Sequence, residues 1–168
     1  MIVFSSKYIS QAIFLFSFLF FLNSTCYAKY ASIIINEKTG KIYHEINADT
    51  RNYPASLTKI MTIYMIFDAL KSKKIKMNTK LKVSKKASLQ PPSKLGLIAG
   101  QTITVKQAIL ALVTKSANDV AKVVAENIEK SEKKFALKMT KMAKKIGMSR
   151  TIFKNASGLP NKGQLSTA

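Results

Sequence analysis

A change of hydrophobic period near Ser56 constrains the fold of this chain more than any other feature of its sequence. Before it, the stretch YASIIIN is apolar and β-branched, EKTGK contains a turn glycine, and IYHEI alternates. This pattern predicts a β-hairpin whose first strand is buried. After it, apolar residues recur at helical spacing, which predicts a helix over 57–71 with Ser56 at its N-terminal edge.

Three further helices are predicted beyond residue 100. A capping-box pair, Thr104 and Gln107, precedes AILALV, so a helix begins at Val105 and continues to about Thr114. This helix is apolar on nearly every face, which predicts a central position. The stretch KSAND interrupts it, VAKVVAENI resumes as a helix, and a last helix starts at Ser131 and stops before Gly147. The remaining segment, from residue 72 to 101, is predicted to form short strands and loops.

A hairpin followed by several helices predicts an α/β (α+β) domain. Two strands cannot cover such helices from one side, because a stable layer normally needs more strands. We therefore expect an incomplete fold, consisting of an N-terminal hairpin and a helical cluster with the remainder of the sheet missing. Exposed strand edges and apolar helix faces should result.

The first 28 residues have the layout of a secretory signal peptide. Lys7 is followed by an apolar run of 14 residues, 9–22, and the segment ends in Cys26-Tyr27-Ala28. The run is shorter than the roughly 20 residues that a transmembrane helix requires. We expect cleavage after Ala28, which leaves an exported domain over 29–168; retention as a membrane anchor is the alternative.

Composition excludes several classes of site and partner. Cys26 would leave with the signal peptide and His44 is the sole histidine, so neither a disulfide framework nor a Cys/His metal centre is expected. His44 itself is expected to be a surface or edge residue. The net charge of +20, or +19 without Lys7, favours an anionic membrane or wall surface, although solvated lysine faces explain it equally. Export and the absence of a recognition motif argue against nucleic acid.

The segment PASLTKIMT joins a helix start to a possible reactive centre. Ser56 and Lys59 are three residues apart, so their side chains share one face of the first turn. A lysine whose pKa is lowered by burial can take the proton of a serine hydroxyl. The N–H groups of a helix N-terminus suit a developing oxyanion. By itself, however, the pair is equally explained by a serine cap and an unrelated lysine.

A second polar element, Ser116-Ala117-Asn118, interrupts the apolar helical region 60 residues after Ser56. Polar groups in such a place need hydrogen-bond partners. One interpretation is a turn in which Asn118 or Asp119 caps the next helix. The other is a hydroxyl that relays a proton and an amide that holds a substrate carbonyl. The order S-x-x-K then S-x-N favours the second interpretation, because the combination is far rarer than either motif.

These motifs and their surroundings resemble the D-alanyl-D-alanine carboxypeptidases, which are low-molecular-weight penicillin-binding proteins. The resemblance is carried by ASIIINEKTGKIYHEINADTRNYPASLTK, GQTITVKQAILALVTKSANDVAKVVAENI and MAKKIGMSRTIFKNASGLPNKGQLSTA. It implies a β-lactamase/transpeptidase-like fold with Ser56 as the acylated nucleophile and Lys59 as its general base. It also implies that Ser116 shuttles a proton, that Asn118 holds the substrate peptide, and that the Ser56 N–H forms half of an oxyanion hole.

The same resemblance implies the substrate and the location. The substrates would be peptidoglycan peptides ending in D-Ala-D-Ala, and β-lactam antibiotics would acylate the same serine. No cofactor is implied. The enzyme would act in the periplasm or on the outer face of the bacterial cytoplasmic membrane.

The third motif of the family, K-T-G, is not found in its expected place. It should follow S-x-N by about a hundred residues, whereas the KTG at 38–40 precedes Ser56 and lies in the predicted hairpin turn. The chain ends 50 residues after Asn118. We therefore expect an N-terminal fragment of such an enzyme that is poorly folded and nearly inactive when expressed alone.

Two alternatives remain. A class A β-lactamase would have an aspartate where Ala117 lies and a glutamate downstream for deacylation, whereas Glu132 is the last acidic residue. Endopeptidase or transpeptidase preference is left open. The alternative from another class is a non-catalytic, basic remnant that binds a wall or membrane surface.

Overall fold

A computed structural model describes residues 30–168 of the chain. The predicted signal peptide, 1–28, lies outside the described residues. Within 30–168, no helix has the length and apolar character needed to cross a bilayer.

The predicted hairpin is confirmed. Strands β1 (Ser32–Ile35) and β2 (Ile42–Ile46) pair in an antiparallel register, with Ile34 opposite His44. The expectation that the first strand is buried is wrong, because Ile33 to Ile35 and all of β2 are exposed. The contacts of the hairpin are mainly internal, so neither of its faces is covered by the helices. His44 lies on the exposed surface, as expected.

The helix predicted over 57–71 is confirmed with a refined start. A 3₁₀ turn, Ala55–Leu57, leads directly into α1 (Thr58–Lys71). One face of α1 enters the core through Met61, Met65, Ile66 and Ala69. The opposite face leaves Ile60, Tyr64 and Phe67 exposed, which confirms the prediction of uncovered apolar helix surface.

Short elements link α1 to the later helices. Strands β3 (Lys80–Lys82) and β4 (Thr102–Thr104) form a second antiparallel pair. Between them lies the single-turn helix α2 (Lys85–Ser88). The middle residues of the two strands, Leu81 and Ile103, are opposite each other and buried, so this pair closes one side of the core.

Three helices complete the cluster: α3 (Val105–Lys115), α4 (Asn118–Glu129) and α5 (Glu132–Lys145). The capping box of α3 is confirmed, since the Thr104 hydroxyl accepts from the Gln107 N–H. At the start of α5, the Ser131 hydroxyl accepts from the Lys134 N–H, as its position predicts. Gly147 follows α5 with a φ of +94°, a left-handed conformation that glycine adopts without strain.

The central helix is α4, so the prediction that placed α3 at the centre is wrong. Helices α1, α2, α3 and α5 and strand β3 all pack against α4. Its Val120, Ala121, Val123 and Val124 are completely buried, whereas Leu110 and Val113 of α3 are exposed. The small side chains of α4 allow neighbouring helices to approach on several sides, which the larger apolar residues of α3 do not.

The segment after α5 returns to the start of the domain. The backbones of Asn52 and Ser166 exchange two hydrogen bonds of 2.8 and 2.9 Å. Ile152 and Leu165 exchange a second such pair, which closes the segment into a loop. This return brings residues 155–158 to the first turn of α1.

Candidate active site

Ser56 and Lys59 are brought together as the sequence predicts. Lys59 Nζ lies 3.2 Å from Ser56 Oγ and donates a hydrogen bond to it. Ser56 is exposed in the 3₁₀ turn, and Lys59 is only 3% exposed in the first turn of α1. The pair therefore combines an accessible hydroxyl with a nitrogen held away from water.

Burial of Lys59 shifts its protonation towards the neutral amine. Burial lowers the pKa of Lys59 below its ordinary value, because the charged form loses solvation in the interior. A neutral amine has a free lone pair that can accept the proton of the Ser56 hydroxyl. This is the electrostatic state that a general base for serine requires.

Ser56 does not act as a helix cap in this structure. Its side chain makes no capping hydrogen bond, and the residues that flank the 3₁₀ turn, Pro54 and Thr58, have right-handed helical dihedral angles. The hydroxyl is therefore not engaged by the backbone at the helix start. The S-x-x-K spacing is therefore not explained by a serine that caps the helix beside an unrelated lysine.

A turn over 155–158 completes the surroundings of Lys59. Lys59 Nζ donates a 2.6 Å hydrogen bond to the carbonyl oxygen of Ser157. The Thr62 hydroxyl donates a 2.7 Å hydrogen bond to the carbonyl oxygen of Ala156. Two successive carbonyls are thus attached to the face of α1 that carries Lys59. Ser56 and Lys59 together are called the reactive pair below. The local signal was the N-A-S-G composition, but nothing in it identifies α1 as the partner.

Glycine is required at position 158 because the turn touches Ala55, the residue before Ser56. Gly158 has a φ of +88°, and a β-carbon added there would lie 1.8 Å from the Ala55 carbonyl oxygen. Ala55 itself has a φ of +46°, which is uncommon for a residue with a side chain. The strained backbone next to Ser56 and the close approach of Gly158 therefore belong to one packed arrangement.

Ser116 and Asn118 lie at the junction of α3 and α4. Ser116 is half-buried and left-handed, with a φ of +52°, where α3 ends. The Asn118 side chain donates to the carbonyl oxygens of Pro91 and Pro92 at 3.0 and 3.1 Å. Among residues 30–168, no hydrogen bond joins Ser116 or Asn118 to Ser56 or Lys59. The helix that Asn118 begins nevertheless packs against α1.

Neither Asn118 nor Asp119 caps α4, so that alternative for the SAN stretch is wrong. The N-cap position is held by Ala117, which makes no side-chain capping bond. Asp119 instead accepts hydrogen bonds from the N–H groups of Leu95, Gly96 and Leu97. The polar groups of this junction thus hold the loop over 91–97 against the start of α4, which satisfies them where they are buried.

The KTG sequence at 38–40 lies in the turn of the β1–β2 hairpin, as predicted. Its residues are exposed, and the Lys38 and Thr39 N–H groups both donate to the Asn36 side chain. These local bonds shape the turn. No hydrogen bond joins these residues to Ser56 or Lys59 within the described chain.

An apolar groove of about 470 Å³ lies beside the reactive pair. It is formed by the return segment and the outer side of α1, and its lining includes Tyr53, Leu57, Ile60, Tyr64 and Phe153. Neither Ser56 nor Lys59 contributes to this lining. The reactive pair therefore faces a different side of the first turn.

Known proteins resemble this chain in sequence and in fold. The family model for D-alanyl-D-alanine carboxypeptidases, peptidase family S11, matches residues 23–168. The chain belongs to this family. The S11 chain is 39% identical over 138 residues to the D-alanyl-D-alanine carboxypeptidase DacF of Bacillus subtilis, covering 82% of its own length and 36% of that protein.

Solved structures confirm the predicted fold of the S11 chain. It superposes on the D-alanyl-D-alanine carboxypeptidase DacD of Francisella tularensis with a TM-score of 0.79 and 36% identity, covering 82% of this chain and 33% of that one. Penicillin-binding protein D2 of Listeria monocytogenes, solved in its ampicillin-bound form, gives a TM-score of 0.66 at 30% identity, covering 82% and 55%. The S11 chain spans about a third of the length of the curated relatives it matches.

Proposed function

We propose that the chain carries the nucleophile and general base of a serine-type D-Ala-D-Ala carboxypeptidase. The observation that carries this proposal is the 3.2 Å hydrogen bond between a buried Lys59 Nζ and an exposed Ser56 Oγ. A serine of this kind needs a neighbouring base within hydrogen-bond reach, and Lys59 meets that requirement. Membership of the S11 family supports the reaction class.

In the proposed acylation, neutral Lys59 takes the proton of the Ser56 hydroxyl. Ser56 Oγ forms a bond to the carbonyl carbon of the penultimate D-alanine, giving a tetrahedral oxyanion. Collapse breaks the peptide bond, and the terminal D-alanine leaves after its nitrogen receives a proton. Water then attacks the Ser56 ester, which releases the shortened peptide and restores the hydroxyl.

Three groups are assigned supporting roles in this proposal. Ser116 passes a proton towards the leaving nitrogen, and Asn118 holds the peptide portion of the substrate. The Ser56 N–H supplies one donor to the oxyanion, which its position in the first turn supports. The assignments of Ser116 and Asn118 rest on the S-x-N motif and on the packing of α4 against α1.

The proposed substrates are peptidoglycan stem peptides, and the proposed covalent inhibitors are β-lactams. The names of the S11 relatives and the ampicillin-bound form of the Listeria protein support both. The signal-peptide layout of residues 1–28 supports action outside the cytoplasmic membrane. The charge of +20 supports an anionic wall or membrane surface as a further partner.

Intact-protein mass spectrometry after incubation with benzylpenicillin tests the proposal. We expect slow formation of one penicilloyl adduct, which peptide mapping places on Ser56. Acylation should be absent in Ser56→Ala, because the attacking oxygen is removed. Ser149→Ala is the control serine, because Ser149 is exposed in the turn after α5.

An adduct that survives in Ser56→Ala, or one mapped to another residue, would contradict the proposed nucleophile. A folded parent that forms no adduct, yet binds anionic vesicles as well as Ser56→Ala does, would favour the non-catalytic remnant. Circular dichroism of both proteins establishes that they are folded before the comparison is made.

A further inference from the structure

We propose that Asn155 is a positioning residue that holds the Ser157 carbonyl against Lys59 and thereby aims the amine at Ser56. This inference deepens the proposed function and rests on it. Asn155 lies 99 positions after Ser56 in the sequence, and its side-chain hydrogen bonds go to other residues than Ser56 and Lys59. It acts through the turn over 155–158.

The Asn155 side chain organises this turn by both of its ends. Its Oδ1 accepts from the Gly158 N–H at 2.8 Å and from the Ser157 N–H at 3.2 Å. Its Nδ2 donates to the Leu159 carbonyl oxygen at 2.9 Å. An asparagine that accepts from the second following N–H forms an Asx-turn, which replaces a backbone turn bond. The direction of the Ser157 carbonyl is therefore determined by one side chain.

The position of Asn155 is itself fixed by Gln164. It is 2% exposed, and its Oε1 accepts from the Lys154 and Asn155 N–H groups at 2.9 and 3.0 Å. Its Nε2 lies 3.4 Å from Asn155 Oδ1. A buried amide whose oxygen has two donors resists displacement, since releasing it would leave unsatisfied polar groups. Gln164, Asn155 and Ser157 thus form a continuous support behind Lys59.

The Ser157 carbonyl limits where the Lys59 nitrogen can lie. The 2.6 Å bond occupies one N–H of Lys59, and Ser56 Oγ lies on another side of the same nitrogen at 3.2 Å. In the neutral amine, an N–H fixed on the carbonyl leaves the lone pair free for the Ser56 hydroxyl. Without the carbonyl, a flexible four-carbon side chain has several staggered positions available. Misplacement of the base by about 1 Å can cost about 10²-fold in rate.

The first measurement is the rate of acylation by a fluorescent penicillin. We expect Asn155→Ala to lower the acylation rate at neutral pH by about 10²-fold. The rise of the acylation rate with pH, which reports deprotonation of Lys59, should move to higher pH in this variant. Water enters when the turn opens, and hydration favours the charged form of Lys59. Asn155→Ser should recover part of the rate, since a serine hydroxyl makes the same turn more weakly.

The second measurement needs no reaction. Lysine labelled with ¹³C at Cε reports the protonation of Lys59 by NMR, and Lys59→Arg identifies its signal. In Asn155→Ala the Lys59 titration should move towards the ordinary lysine value of about 10.4. A general loss of stability would lower the melting temperature and leave the titration of the folded protein unchanged.

One control variant separates positioning from stability. Asn127→Ala removes a comparable side chain, whose hydrogen bonds with the Lys82 N–H and carbonyl join β3 to α4. This variant should retain the acylation rate and the Lys59 titration of the parent.

Parental rate and titration in Asn155→Ala would overturn the proposal. So would an equal loss in Asn127→Ala. If the parent forms no penicilloyl adduct, the proposed function fails and the Lys59 titration alone decides the role of Asn155. If Asn155→Ala does not fold, Asn155→Ser is compared with the parent instead. An unchanged acylation rate and an unchanged Lys59 titration in Asn155→Ser would then overturn the proposed role of Asn155.

Discussion

At Lys59, burial and hydrogen bonding act in opposite directions on the same nitrogen. The Ser157 carbonyl accepts a 2.6 Å bond and would favour the charged ammonium, whereas loss of solvation favours the neutral amine. Burial prevails, and the pKa of Lys59 lies below its ordinary value. A carbonyl is uncharged, so it can hold the nitrogen in place with less effect on protonation than a carboxylate would have.

The pH dependence of acylation follows from this lowered pKa. In the proposed acylation neutral Lys59 accepts the serine proton, so the acylation rate should rise with pH and level off below the ordinary lysine pKa of about 10.4. Lys59→Arg should lose acylation by at least about 10²-fold, because a guanidinium stays protonated and cannot act as base. Stopped-flow fluorescence with a labelled penicillin measures both effects.

Lys74→Arg provides the matched control for this substitution. Lys74 is partly exposed and pairs with Glu129 at 2.8 Å, an interaction that arginine retains. Its acylation profile should equal that of the parent. A parent profile that is flat across pH, or an active Lys59→Arg, would contradict the role of Lys59 as general base.

At the scale of elements, α1 is fixed from two directions. Its inner face packs against α4 and α5, and its first turn is joined to the 155–158 turn by Lys59 and Thr62. The helix that carries Lys59 is therefore held by packing at one side and by hydrogen bonds near its start. Helix α5 supports both contacts, because the turn follows it in the chain and Thr140 accepts from the Phe153 N–H at 2.9 Å.

Truncation of the buried face of α5 should therefore destabilise the domain strongly. Met139 is 0% exposed, and Met139→Ala should lower the free energy of unfolding by about 2–5 kcal/mol through lost burial and a cavity. Leu137, two positions away on the same helix, is 63% exposed, and Leu137→Ala should change it by less than about 0.5 kcal/mol. Urea denaturation followed by circular dichroism measures both values, and equal losses would contradict the assigned faces of α5.

At the scale of the whole molecule, positively charged side chains greatly outnumber negatively charged ones. The chain has 28 lysines and arginines against 8 acidic residues. Several acidic side chains are engaged with lysines, as in Lys122–Glu132 and in the pairing of Glu129 with Lys74 and Lys138. Most lysines therefore have no acidic partner available to them. The outer face of α5 concentrates six exposed lysines: 133, 134, 138, 141, 144 and 145.

This α5 lysine face predicts salt-dependent binding to anionic surfaces. Association with vesicles containing phosphatidylglycerol should weaken steeply between about 0.1 and 1 M salt, as the screening length falls from about 10 to 3 Å. Replacing Lys141, Lys144 and Lys145 by glutamine should weaken it further, by about 1 kcal/mol per lysine. Vesicle co-sedimentation measures this association.

Glutamine substitutions at the hairpin lysines Lys38 and Lys41 provide the comparison for the α5 lysine face. They lie on the exposed β1–β2 turn, away from α5. If each lysine replaced in the hairpin weakens vesicle association as much as each lysine replaced in α5, net charge alone drives the association. Binding that does not respond to salt would contradict an electrostatic partner.

Local features of this protein follow from the sequence by itself. The hairpin, the capped starts of α3 and α5, and the Ser56–Lys59 spacing all depend on neighbours within a few residues. Dihedral preferences, caps and helical periodicity act over that range, so the elements and the reactive pair could be predicted. The S-x-N motif was found in the same way, but its geometry relative to Ser56 could not be.

Long-range contacts decided the rest. The Ser157 carbonyl reaches Lys59 across 98 positions, and the central place belongs to α4 although α3 is the more evenly apolar helix. The apolar composition of a helix face shows that the face could be buried. Whether it is buried depends on which other helices and strands pack against it in the folded chain. The sequence therefore determined which two side chains could react. The return of residues 155–158 onto α1 decided how Lys59 is desolvated and where its nitrogen lies, because the Ser157 carbonyl that binds it comes from a distant part of the chain.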